Sequence, residues 1–341
     1  MSRHVELTAN EKHFLHTALK SQLRLNGRSL MQLRDISIYL SPTEYGYVEV
    51  SFGSTKLSVR ISASITKPYE DRPFEGIFVI NSEISPMASL KFDTTRSQQQ
   101  DEVLISRIIE KSIRRSNALD LENLCIIAGE QCWEITADLN FWNYDGGMID
   151  IGCFATMLAL SHFKKPDVSI THGGFGGSGN GGVNGVIIHD VNERQPVGLS
   201  ILHIPICLTY SFFNLGSKEM NIKGDDDIDN DNDGDLYGEG QVQGEKEQGE
   251  VREVCILDAD AMEEQLRDGS ITITMNKNRE IIQLSKNGGV PIDAQKLVEI
   301  CHDSMQHIDK LTDLITKKIK ESEEKRYNKE NFKLLESSAN R

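Results

Sequence analysis

Residues 105–160 read ISRIIEKSIRRSNALDLENLCIIAGEQCWEITADLNFWNYDGGMIDIGCFATMLAL. Leu104, Ile105, Ile108, Ile109 and Ile113 recur at steps of three and four, the apolar side of a helix over about 97–115. LENLCIIAGE and CWEITADLNFW read as two strands. Asp145, Gly146 and Gly147 then make a turn into an apolar helix from about Met148 to His162. A glycine turn that feeds a helix presents free backbone N–H groups at the helix head, a shape that can hold a phosphate. Met148 and Ile149 nevertheless stand where an anion would want a hydroxyl or a guanidinium.

Working outward from this stretch, Thr8 and Glu11 match a capping box, followed by an amphipathic helix with Leu15, Ala18, Leu19 and Leu23 on one face, ending near Asn26-Gly27. YGYVEVSF and TKLSVRISASI alternate with period two around Gly53-Ser54, a hairpin, and FEGIFVINSEIS is a further strand. Past Lys164-Lys165-Pro166 come short strands at DVSIT and VNGVIIHD, then a long one at LSILHIPICLTYSFF. EVCILDADAMEEQLRDGSITITMN reads strand, helix, strand, and REIIQLS closes a hairpin. From Asp293 on, Leu297, Cys301, Met305, Ile308, Leu311, Ile315 and Ile319 mark one long amphipathic helix, fraying into a charged tail after about Lys325. Its apolar stripe needs a cover, either its own domain or a neighbouring chain. The repeated order of strands then helix suggests two similar halves joined near Pro166.

The formal net charge of -15 first argues against a nucleic-acid partner. Between residues 224 and 250, however, eleven acids face a single lysine, leaving about -5 for the remainder, so local basic patches are possible. Six cysteines with no C-x-x-C spacing, mostly among apolar residues, read as free thiols in a reducing compartment. MSRHVELTANEK has no apolar core and does not read as a signal peptide. No run reaches the roughly 20 apolar residues of a membrane span, so no membrane partner is expected.

Two segments interrupt the order. HGGFGGSGNGGVNG contains G-x-G, but VIIHD after it reads as a strand where a dinucleotide loop needs a helix. Asp229, Asp231, Asp233 and Gly234 resemble the start of a calcium loop, but the twelfth position is Gly240 and neither flank reads as a helix. Both are expected to be insertions, 173–185 Gly-rich and 218–251 acidic and disordered. No cofactor and no metal site is expected.

RLNGRSLMQLRDISI (Arg24 to Ile38) resembles the R-x-D-G-R-x-x-x-x-x-R-x-x-x-I opening of the RNase PH family, with Asn26 in place of Asp. Residues 105–160 are similar to that family's helix, two strands, glycine turn and helix, step for step. NERQPVGLSILHIPICLTYSFF and DADAMEEQLRDGSITITMNKNREI complete the second half. The resemblance spans about residues 3 to 320 less the insertions, and the details ER-P-LSI-H-PIC and DG---I-MNK-REI look like the eukaryotic exosome ring subunits of the polymyositis/scleroderma autoantigen 1 type. It implies an α+β, RNase PH-like fold of two βαβα-type halves (ribosomal protein S5 domain 2-like), with an N-terminal helix over 1–27, a first half over 28–166, a second half over 167–290 and a C-terminal helix and tail over 291–341. It also implies a setting: a six-membered ring of RNase PH-like exosome subunits, RNA-binding cap subunits, an associated hydrolytic exoribonuclease, and single-stranded RNA threaded through the ring. Residence in the nucleus, including the nucleolus, and in the cytoplasm is the corresponding expectation.

In phosphorolytic members of that family the turn reads D-G-G-[ST]-R, and the hydroxyl and guanidinium hold the attacking phosphate. Here Asp145, Gly146 and Gly147 persist, with Met148 and Ile149 in the two ligand positions: a degenerate phosphate loop. Active members also place an acid on the strand matching GLSILHIPI, where this chain has no carboxylate from Gly198 to Phe213. His203, the nearest substitute, reads as a hydrogen-bonded core residue. The expectation is a ring subunit without catalytic residues; the alternative is an active phosphate-dependent 3′-to-5′ exoribonuclease, and a third reading is a calcium-responsive regulator acting through the acidic loop. RNA contact falls to Arg107, Lys111, Arg114 and Arg115, at i, i+4, i+7 and i+8 on one helix stripe, with Arg96 before them. The other reading of that stripe is a solvated face, or ion pairs to a neighbouring subunit. No aromatic cluster accompanies it, so contact would be to phosphates and independent of sequence.

Overall fold

The computed structural model describes residues 7–92, 95–171, 185–189, 193–215, 253–289 and 291–339; for 95–97, 171, 185 and 327–339 only the backbone course is described. Both insertions lie outside the described residues except for Gly185, the last residue of the first, as does the Arg96 side chain.

The chain opens with helix α1 (Ala9–Lys20), capped as the sequence predicts: Glu11 N–H donates to Thr8 Oγ1 and Thr8 N–H to Glu11 Oε2. It stops six residues earlier than Asn26, because Gln22 turns left-handed at φ 56° and directs Arg24 into the interior. Next come β1 (Ile36–Leu40), β2 (Tyr47–Phe52), β3 (Thr55–Thr66) and β4 (Ile77–Ile84). β2 and β3 form the expected hairpin, with Gly53 at φ 54° in its two-residue turn. β1 is an additional edge strand paired to β2.

α2 (Thr95–Arg114), β5 (Cys125–Ile127), β6 (Gln131–Asn143) and α3 (Met148–His162) follow. Their sheet runs β1-β2-β3-β6-β4, with β5 on β6; β4 is parallel to β6 and the other pairs are antiparallel. α3 begins at Met148 and ends at His162, as the sequence predicts. All its residues but Ile149 and Ser161 are buried, which is why it is apolar all round and shows no amphipathic stripe.

The second half contains β7 (Lys164–Lys165), β8 (Val168–Thr171), β9 (Gly185–Ile188), β10 (Val197–Gly198), β11 (Ile206–Asn214), β12 (Glu253–Leu257), α4 (Ala261–Leu266), β13 (Gly269–Met275), β14 (Ile281–Gly288) and α5 (Ala294–Ala339). β12-β11-β13-β14 is a second, antiparallel sheet. The long strand expected over LSILHIPICLTYSFF starts only at Ile206. Pro205 has no N–H for a ladder, and the residues before it make a single bridge, Leu119 to Ile201. His203 therefore lies on a connection, where its Nε2 sits 2.8 Å from the Ser116 carbonyl.

The two halves share one core. Phe52, Ile109, Leu139 and Phe154 belong to the same buried cluster as Leu208, Ile273 and Ile308. The stripe of α5 is covered within the chain: Ile300, Ile308, Leu311 and Ile315 are buried, and Ser304 Oγ lies 2.8 Å from the Tyr210 hydroxyl. This settles the cover of residues 300–315 in favour of the chain's own domain. The helix does not fray after Lys325 but runs on to Ala339. On the way it returns to the first half, where the Arg326 guanidinium stacks 3.9 Å from the Tyr45 ring centre and donates to the Ser41 carbonyl.

Candidate functional site

The head of α3 is built by three glycine-dependent and charge-dependent constraints. Gly147 is the helix N-cap, at φ 70°. Gly146 is also left-handed, at φ 81°, and a Cβ there would strike the Ala259 carbonyl. A Cβ on Gly147 would come within 2.7 Å of Arg34 Nη2. The turn is thus pressed between Arg34 and the segment joining β12 to α4.

Arg34 is buried and fully occupied. It binds Asp258 through Nη2 at 2.6 Å and through Nε at 3.0 and 3.1 Å, and donates to the carbonyls of Asp145 and Gly146. The other two arginines of the R-x-[DN]-G-R-x5-R segment are held the same way. Arg24 meets Glu263 at 2.6 Å, and Arg28 meets Asp260 at 2.6 Å and Asp258 at 3.2 Å. Asn26 donates to Asp260. Burial and the neighbouring Glu263 carboxylate raise Asp260 to about 6, against the opposing pull of Arg28 and Arg24. These acids were not identified from the sequence as partners of the arginines. The signal was there: three arginines in eleven residues need counter-charges, and DADAMEE carries a second capping box among the described residues, Asp260 with Glu263.

Glu264 decides the chemistry of the turn. Its Oε1 accepts the Gly147 N–H at 3.1 Å and its Oε2 accepts the Tyr144 hydroxyl at 2.6 Å, with Arg267 Nη1 3.4 Å from Oε1. Burial and this carboxylate push the Tyr144 phenol far up, so Tyr144 remains a donor. The N-cap N–H at a helix head that favours negative charge is therefore satisfied by the protein's own anion. Met148 is buried and Ile149 half-buried beside it, and neither side chain can donate.

A carboxylate does reach β11, from the helix and not from the strand. Both oxygens of Asp150 bind Thr209, one its N–H at 2.8 Å and the other its hydroxyl at 2.7 Å. Asp150 is 1 % exposed, and burial raises its pKa well above the carboxylate range. Its position in the first turn of α3 explains why a search of the strand alone missed it.

The basic stripe of α2 is a different kind of surface. Arg107, Lys111 and Arg115 are exposed in one row, and among the described residues none has an ion-pair partner. Arg114 stands apart: it is half-buried and paired with Glu110 at 3.2 Å. Leu104 is 56 % exposed, away from the core side formed by Ile105, Ile109 and Ile113.

Known proteins place this architecture. Residues 32–166 match the model of the 3′ exoribonuclease family (RNase PH), domain 1, and residues 248–304 match its domain 2. The chain belongs to the RNase PH family. It is 48% identical over 326 residues to the exosome complex component RRP45 of Saccharomyces cerevisiae, covering 96% of this chain and 95% of that one. The Schizosaccharomyces pombe protein of the same name is 43% identical, over 87% of this chain and 86% of the relative. The human one is 30% identical over 97% of this chain and 64% of the relative. Among solved structures, an Archaeoglobus fulgidus exosome chain, described with RNA bound to the active site, superposes with a TM-score of 0.65 at 20% identity, over 89% of this chain and 96% of that chain. That likeness establishes the fold, and the RNase PH-like arrangement expected from the sequence is the observed one.

Proposed function

We propose that this chain is a non-catalytic ring subunit of the RNA exosome, supporting 3′-to-5′ RNA processing and degradation by closing the ring and lending cations to the RNA path. The observation that carries the reading is the head of α3, whose N-cap N–H is taken by Glu264 and whose two ligand positions hold apolar side chains. An attacking phosphate needs outward N–H groups, a hydroxyl and a guanidinium; this turn offers Met148, Ile149 and an N-cap N–H already bound to Glu264. Its nearest arginine, Arg34, is bound to Asp258 and to the turn's own carbonyls. Removing Arg34 from Asp258 to serve a ligand would leave this buried carboxylate only Arg28, 3.2 Å away, a loss below the about 3–5 kcal/mol of a wholly unpaired buried charge.

The ring neighbours would be RNase PH-like subunits, with RNA-binding caps on one face and hydrolysis performed by an associated exoribonuclease. The relatives' shared name supports membership of an exosome; residence in the nucleus, nucleolus and cytoplasm is part of the same proposal. A fluorescent fusion excluded from nuclei would remove the localisation. RNA contact would come from Arg107, Lys111 and Arg115, while Arg114 is spent on Glu110. The test is ultraviolet crosslinking of single-stranded RNA to the assembled complex. Arg107→Glu with Lys111→Glu should weaken crosslinking and leave assembly intact. Unchanged crosslinking at low salt, where phosphate contacts are strongest, would reduce the row to a solvated face.

A further inference from the structure

All six cysteines are free thiols, and five are buried; Cys125 alone is half-exposed. β5 and β6 pair antiparallel, and their register sets Cys125 directly opposite Cys132. Residues opposite one another in such a pair lie about 4.5–5.5 Å apart at Cα, with side chains on the same face. A disulfide requires about 4.4–6.8 Å between Cα atoms, a range that covers the spacing of a directly opposed pair, here with the ladder irregular between Cys125 and Ile127. Along β6 the core is served by Trp133, Ile135 and Ala137, which places Cys132 on the opposite face, where it is nevertheless buried. The accessible thiol and a sheltered one therefore face each other across one rung. Cys153 and Cys207 are also neighbours, but both are sealed in the core, out of reach of any solute. The hairpin closed by the pair is anchored through Gly129 N–H to the Pro73 carbonyl at 2.9 Å, and Cys125 Sγ sits 3.9 Å from the same oxygen.

We propose that Cys125 and Cys132 are a reversible oxidation site, converted by a hydroperoxide to an intrachain disulfide. The Cys125 thiolate attacks one peroxide oxygen and the O–O bond breaks. This leaves a sulfenic acid on Cys125 and, from hydrogen peroxide, one water after protonation. The Cys132 sulfur then attacks the Cys125 sulfur; the S–S bond forms, the S–O bond breaks, and the hydroxide leaves as a second water with the Cys132 proton. Two thiols give up two electrons and the peroxide takes them; a thiol reductant reverses the step. Burial raises the Cys132 thiol above its ordinary value, which makes it the second to react.

The experiment treats the full chain with hydrogen peroxide, blocks remaining thiols with an alkylating reagent, and digests without reduction. Cleavage after Glu122, Glu130 and Glu134 puts the two cysteines on separate peptides. The expected product is the two peptides joined, with a mass equal to their sum less two hydrogens, and separated by dithiothreitol. In Cys132→Ser the joined product is lost and Cys125 is trapped by dimedone as the sulfenic acid; Cys153→Ser leaves the joined product unchanged. Oxidation of Cys125 to the sulfinic acid in the wild-type chain while Cys132 remains alkylatable would overturn the proposal. So would linkage of Cys125 to any cysteine other than Cys132.

Discussion

The head of α3 and the outer face of α2 both carry arginines in a fold built to handle RNA, and they use them in opposite ways. At the head of α3 every charge is spent internally: Arg34 on Asp258 and two carbonyls, the Gly147 N–H on Glu264. On α2 and the residue just after it, Arg107, Lys111 and Arg115 stand in water without an ion-pair partner among the described residues. A cation that is already neutralised in a low-dielectric interior holds structure; one that is solvated and unpaired can exchange counterions for a polyanion. The contrast separates what the fold has converted into architecture from what it still offers to a partner.

The largest expected effect comes from breaking the internal side. Arg34→Ala removes the tighter of the two arginines on Asp258, leaves Arg28 at 3.2 Å, and should lower stability by about 2–4 kcal/mol in urea unfolding. Arg34→Ala together with Asp258→Ala should lose less than the two single changes added together, because they share one interaction. Gly147→Ala comes next. Its φ of 70° and the 2.7 Å approach to Arg34 Nη2 predict a loss of about 1–3 kcal/mol by the same measurement. On the external side, Arg107→Glu with Lys111→Glu should leave the free energy of unfolding within about 0.5 kcal/mol of wild type. The slope of log affinity for single-stranded RNA against log salt should become shallower by about 0.7 for each phosphate contact removed.

A smaller effect links α5 to the first half. Burial, with Arg326 and Lys164 nearby, lowers His162 to about 4, while its Nδ1 accepts the Gly46 N–H at 3.1 Å. The unfolded chain therefore binds this proton first, and the stability held by neutral His162 is lost as pH falls from about 6.5 toward 4. Asp260 acts oppositely: with its folded value raised to about 6, protonation favours the fold as pH falls from 6 toward 3.8. The thermal midpoint difference between pH 7 and pH 5 should show less acid loss in His162→Gln than in wild type, and more in Asp260→Asn. Equal differences in all three proteins would refute the assignment.

The smallest expected effect is a null one. Met148→Ser with Ile149→Arg restores the ligand side chains but leaves Glu264 on the Gly147 N–H, so calorimetry should detect no phosphate binding. Adding Glu264→Gln should allow weak binding. Binding by the first variant alone would show that the internal carboxylate does not occupy the anion's place.

What the sequence revealed follows the range of the interactions. α3 was legible to the residue because an apolar run lies between Gly146-Gly147 and Lys164-Lys165-Pro166, and the Thr8–Glu11 box and the Gly53-Ser54 turn are equally local. β1 escaped notice because five residues on a sheet edge give little alternation to read. The end of α1 moved because a buried Arg24–Glu263 pair, 239 residues apart, outweighed local helix propensity. The loop's glycines and its two missing ligands could be read directly. Glu264 and Asp258 could not, since no periodicity joins residue 147 to 264 or 34 to 258. Arg107, Lys111 and Arg115 were visible from spacing alone, but the withdrawal of Arg114 by Glu110 depended on rotamers.

The most direct test of the closed anion seat is phosphate-stimulated release of nucleoside diphosphates from an RNA 3′ end by the purified chain. The account predicts no diphosphate product at any phosphate concentration. Release that rises with phosphate and disappears in Asp145→Ala would contradict it.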